Sequence, residues 1–199
     1  MVGSISKNKL LEYNNKGWVW LENQVDIDTI NVLKEKAAFF RTWVENDDWK
    51  GVGCAGKHDQ FLYEFYTSNL MYTLASTFLG VSDIWLFNDQ IVVKNPGDNF
   101  FFPAHTDNDT VDPNKDYNID TINLSIILDD FTDENGGLEL FSSEWEKVYP
   151  KKGDIVAIRG NTLHRSGVNK SSSSRGLYAC VYCADKIDFL NFYKDKFVI

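Results

Sequence analysis

Thr121-Ile122-Asn123-Leu124-Ser125-Ile126-Ile127-Leu128 is the stretch from which the fold is read. Apolar Ile122, Leu124 and Ile126 alternate with Asn123 and Ser125 before the run becomes wholly apolar. A period of two belongs to a β-strand, whose successive side chains point to opposite faces. The strand therefore carries Asn123 and Ser125 on one face. Downstream, Asp133-Glu134-Asn135-Gly136-Gly137 is a turn and Leu138-Glu139-Leu140-Phe141 a second strand. Lys151-Lys152-Gly153-Asp154 turns into a third at 155–158, and a Ser-rich turn at 171–174 precedes a last strand at 176–183. Upstream, 85–94 is strand-like and stops at Asn95-Pro96-Gly97, a turn signal.

Further towards the N-terminus the pattern changes. Gly17-Trp18-Val19-Trp20-Leu21 predicts a first strand or edge segment. Ile30, Leu33, Ala37, Phe40 and Val44 recur at spacings of three and four, which predicts an amphipathic helix over 28–45 with Asp26 or Asp28 as its cap. Ser68 caps a second helix that ends at Leu79 before Gly80. Between them Gly51, Gly53 and Gly56 form a cluster with no P-loop pattern, read as a mobile loop over a pocket. A terminal helix is expected over 185–193. Two helices followed by many short strands argue for an α+β protein, mainly β. Its second half is a double-sheet jelly roll with the N-terminal helices packed on one sheet. The chain is expected to form one domain over 1–199, with its core at about 84–184.

The 199 residues suffice for a substantial core, and 43% are apolar and 15% aromatic. A net charge of -9 with no dense Lys/Arg stripe argues against nucleic acid or an anionic membrane surface as partner. There is no apolar run of the roughly 18 residues that a spanning helix requires. The first residues lack the apolar core of a secretory signal, so a cytoplasmic location is expected. Three cysteines, Cys54, Cys180 and Cys183, are too few for a disulfide framework. Cys180 and Cys183 lie three apart on a strand and so face opposite sides, which suits small apolar residues better than a redox pair.

The chemistry concentrates in Pro103-Ala104-His105-Thr106-Asp107. On an extended strand His105 and Asp107 would offer an imidazole nitrogen and a carboxylate oxygen to one point. That is two thirds of the 2-His-1-carboxylate set of non-haem Fe(II) oxygenases. On its own a His and an Asp two apart recur by chance. A third ligand must come from elsewhere, and the remaining histidines are His58, in the glycine cluster, and His164.

Several pieces, in order, now carry a family likeness: Gln90-Ile91-Val92-Val93-Lys94-Asn95-Pro96, Ala104-His105-Thr106-Asp107, the run from Leu128 through Asn135-Gly136-Gly137-Leu138, Gly153-Asp154-Ile155-Val156, Thr162-Leu163-His164-Arg165-Ser166, and Arg175. From about residue 85 to 183 the chain resembles the phytanoyl-CoA dioxygenase (PhyH-like) family of Fe(II)/2-oxoglutarate-dependent oxygenases. The resemblance implies a double-stranded β-helix, a cupin-like jelly roll. It implies Fe(II), 2-oxoglutarate and O2 as cofactors, with His105, Asp107 and His164 as metal ligands. It implies that Arg175 clamps the distal carboxylate of 2-oxoglutarate, with Ser166 as a hydroxyl donor and Asn123, Ser125 and Gln90 as further co-substrate contacts. The implied reaction is hydroxylation of a C–H bond in a small-molecule substrate, with release of succinate and CO2. Related halogenases lack the carboxylate that Asp107 supplies here, which favours hydroxylation. Desaturation and ring formation would use the same residues.

Two features depart from the family. Where members commonly carry Pro-Gly-Ser-His, this chain has Phe141-Ser142-Ser143-Glu144-Trp145, and it is short for the family, which suggests an open or small pocket. Two rival readings are a non-catalytic jelly-roll binding protein and a cupin-like metalloenzyme that uses no 2-oxoglutarate. The intact metal set with Ser166 and Arg175 speaks against the first, and Arg175 against the second. Neither the substrate nor the oligomeric state is written in the sequence.

Overall fold

The computed structural model describes residues 5–44, 51–110, 120–185 and 196–197. Four helices and eleven strands follow one another along these residues: α1 (Lys7–Lys16), β1 (Trp18–Leu21), α2 (Ile27–Arg41), β2 (Gly51–Gly53), α3 (Gln60–Tyr66), α4 (Asn69–Leu79), β3 (Ile84–Lys94), β4 (Phe102–His105), β5 (Thr121–Ile127), β6 (Leu138–Phe141), β7 (Trp145–Val148), β8 (Ile155–Arg159), β9 (His164–Ser166), β10 (Arg175–Cys183) and β11 (Lys196–Phe197). The strands form two antiparallel sheets. The larger runs β1-β8-β5-β10-β3-β11 with β2 also on β3, and the smaller runs β4-β9-β6-β7. This is the jelly roll that the strand pattern implies.

The large sheet is a wall with two different faces. Ile122, Leu124 and Ile126 of β5, with Tyr178, Cys180 and Tyr182 of β10, join one buried cluster with Leu33, Phe40, Leu62 and Leu74 of the helices. Alternate residues of the large sheet point the other way. There Ile127, Val156 and Ile158 meet Leu138, Leu140 and Val148 of the small sheet, closing one end of the space between the sheets. The other end is left to polar side chains and forms the candidate site.

Four helices stand where the sequence pattern marks two. The cap readings at Asp26, Ser68 and Gly80 hold: Asp26 accepts from Thr29 N, Ser68 from Met71 N, and Gly80 closes α4 at φ 72°. Helix α1 buries only Tyr13, so it carries no apolar stripe to read. Helix α3 is seven residues long, too short to display a period, and is started by Asp59, which accepts from Leu62 N. Strands β7 and β9 are also additions, of four and three residues.

The glycine cluster is not a mobile loop. Gly51–Gly53 pairs with β3, and a 3-10 turn over Ala55–Lys57 follows. Cys54 N donates to Asp89 O (2.6 Å) and Gly56 N to the buried Asp89 carboxylate (2.8 Å), which pins the segment to the sheet. His58 ends this turn with its ring against Trp43, at 5.4 Å between centroids. Cys180 and Cys183 are both buried, and burial pushes the Cys183 thiol up to about 12 and the Cys180 thiol well above its ordinary value. The helix expected over 185–193 falls almost wholly outside the described residues. Among the described residues no helix is long and apolar enough to cross a membrane.

Candidate metal centre and co-substrate pocket

Strands β4 and β9 pair antiparallel with His105 directly opposite His164. Cross-strand partners share a face, and the two imidazoles stand 4.3 Å apart between centroids. Each spends one ring nitrogen on the backbone: His105 Nδ1 lies 2.8 Å from Pro103 O and His164 Nδ1 2.9 Å from Thr162 O. A carbonyl oxygen only accepts, so Nδ1 carries a proton in both rings and Nε2 is the nitrogen left to face a metal. Burial, followed by the neighbouring His164, holds His105 below the usual imidazole range and so keeps it neutral, the form that ligates metal.

Asp107 arrives by a different route from the one the two-residue spacing suggests. Strand β4 ends at His105, and Asp107 sits in the turn beyond it. That turn is fixed by Asn108 N donating to Gly160 O (3.0 Å) and Thr121 Oγ1 donating to Asn108 Oδ1 (2.8 Å). The result is still convergent. Asp107 Oδ1 lies 3.9 Å from His105 Nε2 and 3.6 Å from His164 Nε2, and one donor atom from each residue falls within 4.8 Å of the others. Two imidazoles and one carboxylate on one side of a point are a donor set that suits Fe(II). Among the described residues this is the group of His, Cys, Asp and Glu side chains gathered closely enough to hold a metal ion.

The cavity running inward from these three residues is lined by Gln90, Phe102, Asn123, Ser125, Ser166 and Arg175, with apolar Val92, Leu138, Leu177 and Ala179 between them. Every expected site residue therefore reaches one space. Asn123 and Ser125, however, are engaged in a chain of hydrogen bonds that ends on Asp107. Asn123 Nδ2 donates to Asp107 Oδ2 (2.9 Å), and Ser125 Oγ donates to Asn123 Oδ1 (3.0 Å). They form a two-link chain that orients the carboxylate. The Gln90 side chain lines the cavity and makes no hydrogen bond among the described residues.

Arg175 opens β10 and is almost completely buried, 1% exposed. Its Nη2 donates to Gly136 O, and its guanidinium lies over the Phe131 ring at 4.0 Å. Its Nε is buried with no partner among the described residues. Burial, opposed by Asp129, brings the guanidinium down to about 9, which still leaves it protonated at neutral pH. A buried cation with an unused donor at one end of a narrow cavity fits a carboxylate ligand.

The sequence reading did not single out Lys94. It is fully buried, with Nζ 2.7 Å from Ser166 Oγ and 2.5 Å from Gly167 O. Burial first, then the Arg175 charge, pulls its ammonium down to about 6. The available signal was parity: Lys94 follows Gln90 and Val92 at steps of two and so shares their face. The departure at 141–145 is a tight hairpin between β6 and β7, with Phe141 opposite Trp145.

Two facing antiparallel sheets with two histidines and a carboxylate at one end, and a buried arginine further in, define a non-haem iron, 2-oxoglutarate-dependent oxygenase. The chain belongs to the phytanoyl-CoA dioxygenase (PhyH) family, whose model matches residues 13–143. The family's cofactors are Fe(II), 2-oxoglutarate and O2. The match takes in His105 and Asp107 and stops short of His164 and Arg175, which the fold brings alongside them. Solved structures of the same fold include SnoK, a non-haem α-ketoglutarate-dependent carbocyclase from nogalamycin biosynthesis (16% identity, TM-score 0.78, covering 90% of this chain and 84% of that one). Also similar is EctD from S. alaskensis with bound Fe (15%, 0.78, 92% and 78%). A third is EvdO2 from Micromonospora carbonacea var. aurantiaca complexed with 2-oxoglutarate (17%, 0.78, 93% and 93%). Among curated proteins, no sequence match reaches significance.

Proposed function

We propose that this oxygenase hydroxylates a C–H bond of a small-molecule substrate, with His105, Asp107 and His164 as the iron ligands and Arg175 as the clamp for 2-oxoglutarate. The observation that carries the reading is the sharing of one cavity by the His-Asp-His group and a buried guanidinium with an unpaired donor. Bound there, Fe(II) with 2-oxoglutarate and O2 would supply the oxidising chemistry for C–H hydroxylation, with succinate and CO2 as co-products. The protein's part is to bind, orient and exclude water. His105 and His164 present Nε2 because their Nδ1 atoms are held by backbone carbonyls. Asp107 presents Oδ1 because Asn123 holds Oδ2. Val92, Leu138, Leu177 and Ala179 keep the inner cavity apolar, which strengthens the pairing of Arg175 with a carboxylate.

Succinate formation from 2-oxoglutarate with added Fe(II), screened across candidate metabolites and followed by product mass, tests the reading. A gain of one oxygen is expected. A product of unchanged composition would instead indicate an epimerase, as SnoN of nogalamycin biosynthesis is described. Removing the guanidinium provides the co-substrate test. Loss of one partner from a buried charge pair costs on the order of 2–5 kcal/mol, and ~1.4 kcal/mol is tenfold. Arg175→Ala should therefore raise the dissociation constant of 2-oxoglutarate for the Mn(II)-loaded protein by tens of fold or more. Arg175→Lys should recover part of the loss, since an ammonium lacks the two-pronged geometry. Unchanged binding in Arg175→Ala would refute the clamp.

A further inference from the structure

Lys94 ends β3 directly opposite Arg175 of β10. Cross-strand partners project from the same face, and like charges placed so repel. Both side chains are buried, at 0% and 1% exposure. Buried charge ordinarily requires a compensating partner. Among the described residues no carboxylate hydrogen-bonds to either cation. Lys94 Nζ donates to Ser166 Oγ and Gly167 O, Arg175 Nη2 donates to Gly136 O, and Arg175 Nε is unpaired. Asp129 acts on Arg175 from a distance, but its oxygens are taken by Gly176 N (2.9 Å) and Lys34 Nζ (2.5 Å). The rings of Phe100 and Phe102 also stand near Lys94 Nζ, at 5.6 and 5.5 Å to their centroids.

The second observation is the polarity that Lys94 imposes on Ser166. A hydroxyl has one proton to give and two lone pairs to receive; an ammonium only donates. In the ammonium form, which a carboxylate bound beside Arg175 favours, Lys94 fills a lone pair of Ser166 Oγ and leaves its proton to be given elsewhere. Ser166 Oγ makes no other hydrogen bond among the described residues, and Ser166 lines the cavity shared with Arg175. Its proton is available to a ligand there.

We propose that Lys94 is a positioning residue for the acidic end of the co-substrate: by donating to Ser166 it fixes that hydroxyl as a donor into the cavity beside Arg175, and so makes the cavity select a 2-oxo acid that carries a distal carboxylate. The inference rests on the reading of the cavity as the 2-oxoglutarate site. Burial and Arg175 alone pull Lys94 down to about 6; a carboxylate brought against Ser166 and Arg175 acts in the opposite sense and favours the ammonium.

The test measures 2-oxoglutarate and 2-oxobutyrate, which lacks the distal carboxylate, binding anaerobically to Mn(II)-loaded wild type, Lys94→Met, Ser166→Ala, the double variant and Arg175→Ala. Lys94→Met should raise the dissociation constant of 2-oxoglutarate roughly tenfold or more, leave that of 2-oxobutyrate unchanged, and leave Mn(II) affinity unchanged. Its effect should shrink several-fold when Ser166 is already Ala, the sign of one shared interaction. Should Lys94→Met not fold, Lys94→Leu replaces it with the same expectation. Wild-type 2-oxoglutarate binding in the Lys94 variant, an equal loss of both acids, or full multiplicativity with Ser166→Ala each overturns the proposal. Arg175→Ala separates the two levels: if it is weakened while the Lys94 variant is not, only this inference fails. If it too binds 2-oxoglutarate as wild type does, the reading of the cavity fails with it.

Discussion

His105 and His164 each commit one ring nitrogen to a carbonyl two residues back, and Asp107 commits one oxygen to Asn123. The three remaining donor atoms leave no surplus. His105→Ala or His164→Ala should remove most Fe(II) or Mn(II) binding by calorimetry and all turnover, because two donors hold a metal low in the affinity series poorly. Asn123→Ala should act more gently. It leaves the ligands in place but lets the Asp107 carboxylate rotate, and losing such an outer partner costs about 10–100-fold in metal affinity. Calorimetry with Mn(II) checks this, and wild-type affinity would show that the Asn123 contact does not orient the ligand. The residues differ in how far sequence alone discloses them. His105 and Asp107 are visible as a pair, although the turn after β4 rather than strand alternation brings them together. His164 and Arg175 are visible only through resemblance, since no local period links them to the first pair. The link from Asn123 to Asp107 depends on a turn whose shape no spacing encodes. Lys94 escapes notice because a lysine closing an apolar run ordinarily marks where a strand reaches water.

At the scale of elements, β1 is held to the edge of the large sheet by β8 and by one buried carboxylate. Asp154 accepts from Trp20 Nε1 (2.8 Å), Asn23 N (2.8 Å) and Lys151 N (2.7 Å). Asp154→Ala removes three part-buried hydrogen bonds to a charged acceptor, each worth about 1.5–3 kcal/mol. A loss of about 3 kcal/mol or more in urea unfolding of the metal-free protein is expected, with β1 released first in hydrogen exchange. A loss within about 0.5 kcal/mol, typical of surface changes, would rule out that role. The same scale explains what a pattern reading misses. Helices α2 and α4 bury several residues on one face and are found. Helices α1 and α3 bury one and two residues, too few to form a stripe, and their caps are their clearest marks. The glycines at 51–56 suggest freedom, but Asp89 lies on a distant strand and its pinning hydrogen bonds leave no trace near them.

For the whole molecule, burying Lys94 beside Arg175 has a cost that depends on pH. An unfolded lysine holds its proton up to its ordinary value of about 10.5; the folded one releases it at about 6. Between those limits the unfolded chain binds the extra proton, so this contribution to stability rises with pH. Lys94→Met removes the effect. The stability of the variant relative to wild type, without metal or co-substrate, should be greatest at or below about pH 6. It should then decline towards pH 10 by at most ~1.4 kcal/mol per pH unit. Equilibrium unfolding of both proteins across that range provides the measurement, and a constant difference would show that Lys94 keeps its ordinary proton affinity in the fold. Cys180 and Tyr182, pushed up by burial, pull the other way at high pH, but they are common to both proteins and cancel in the difference.

The two-faced large sheet also bears on how this chain tolerates changes of length. In β5 and β10 neighbouring residues serve different tasks: Leu124 and Cys180 pack beneath the helices, while Asn123, Ser125, Leu177 and Ala179 face the cavity. Deleting a single residue within either strand would turn every following side chain to the opposite face. Leucine and isoleucine would enter the cavity, and amide and hydroxyl groups would be driven under the helices. Insertions and deletions should therefore survive only in the connections, and the reading frame of these two strands is as strictly bound as the ligands they support.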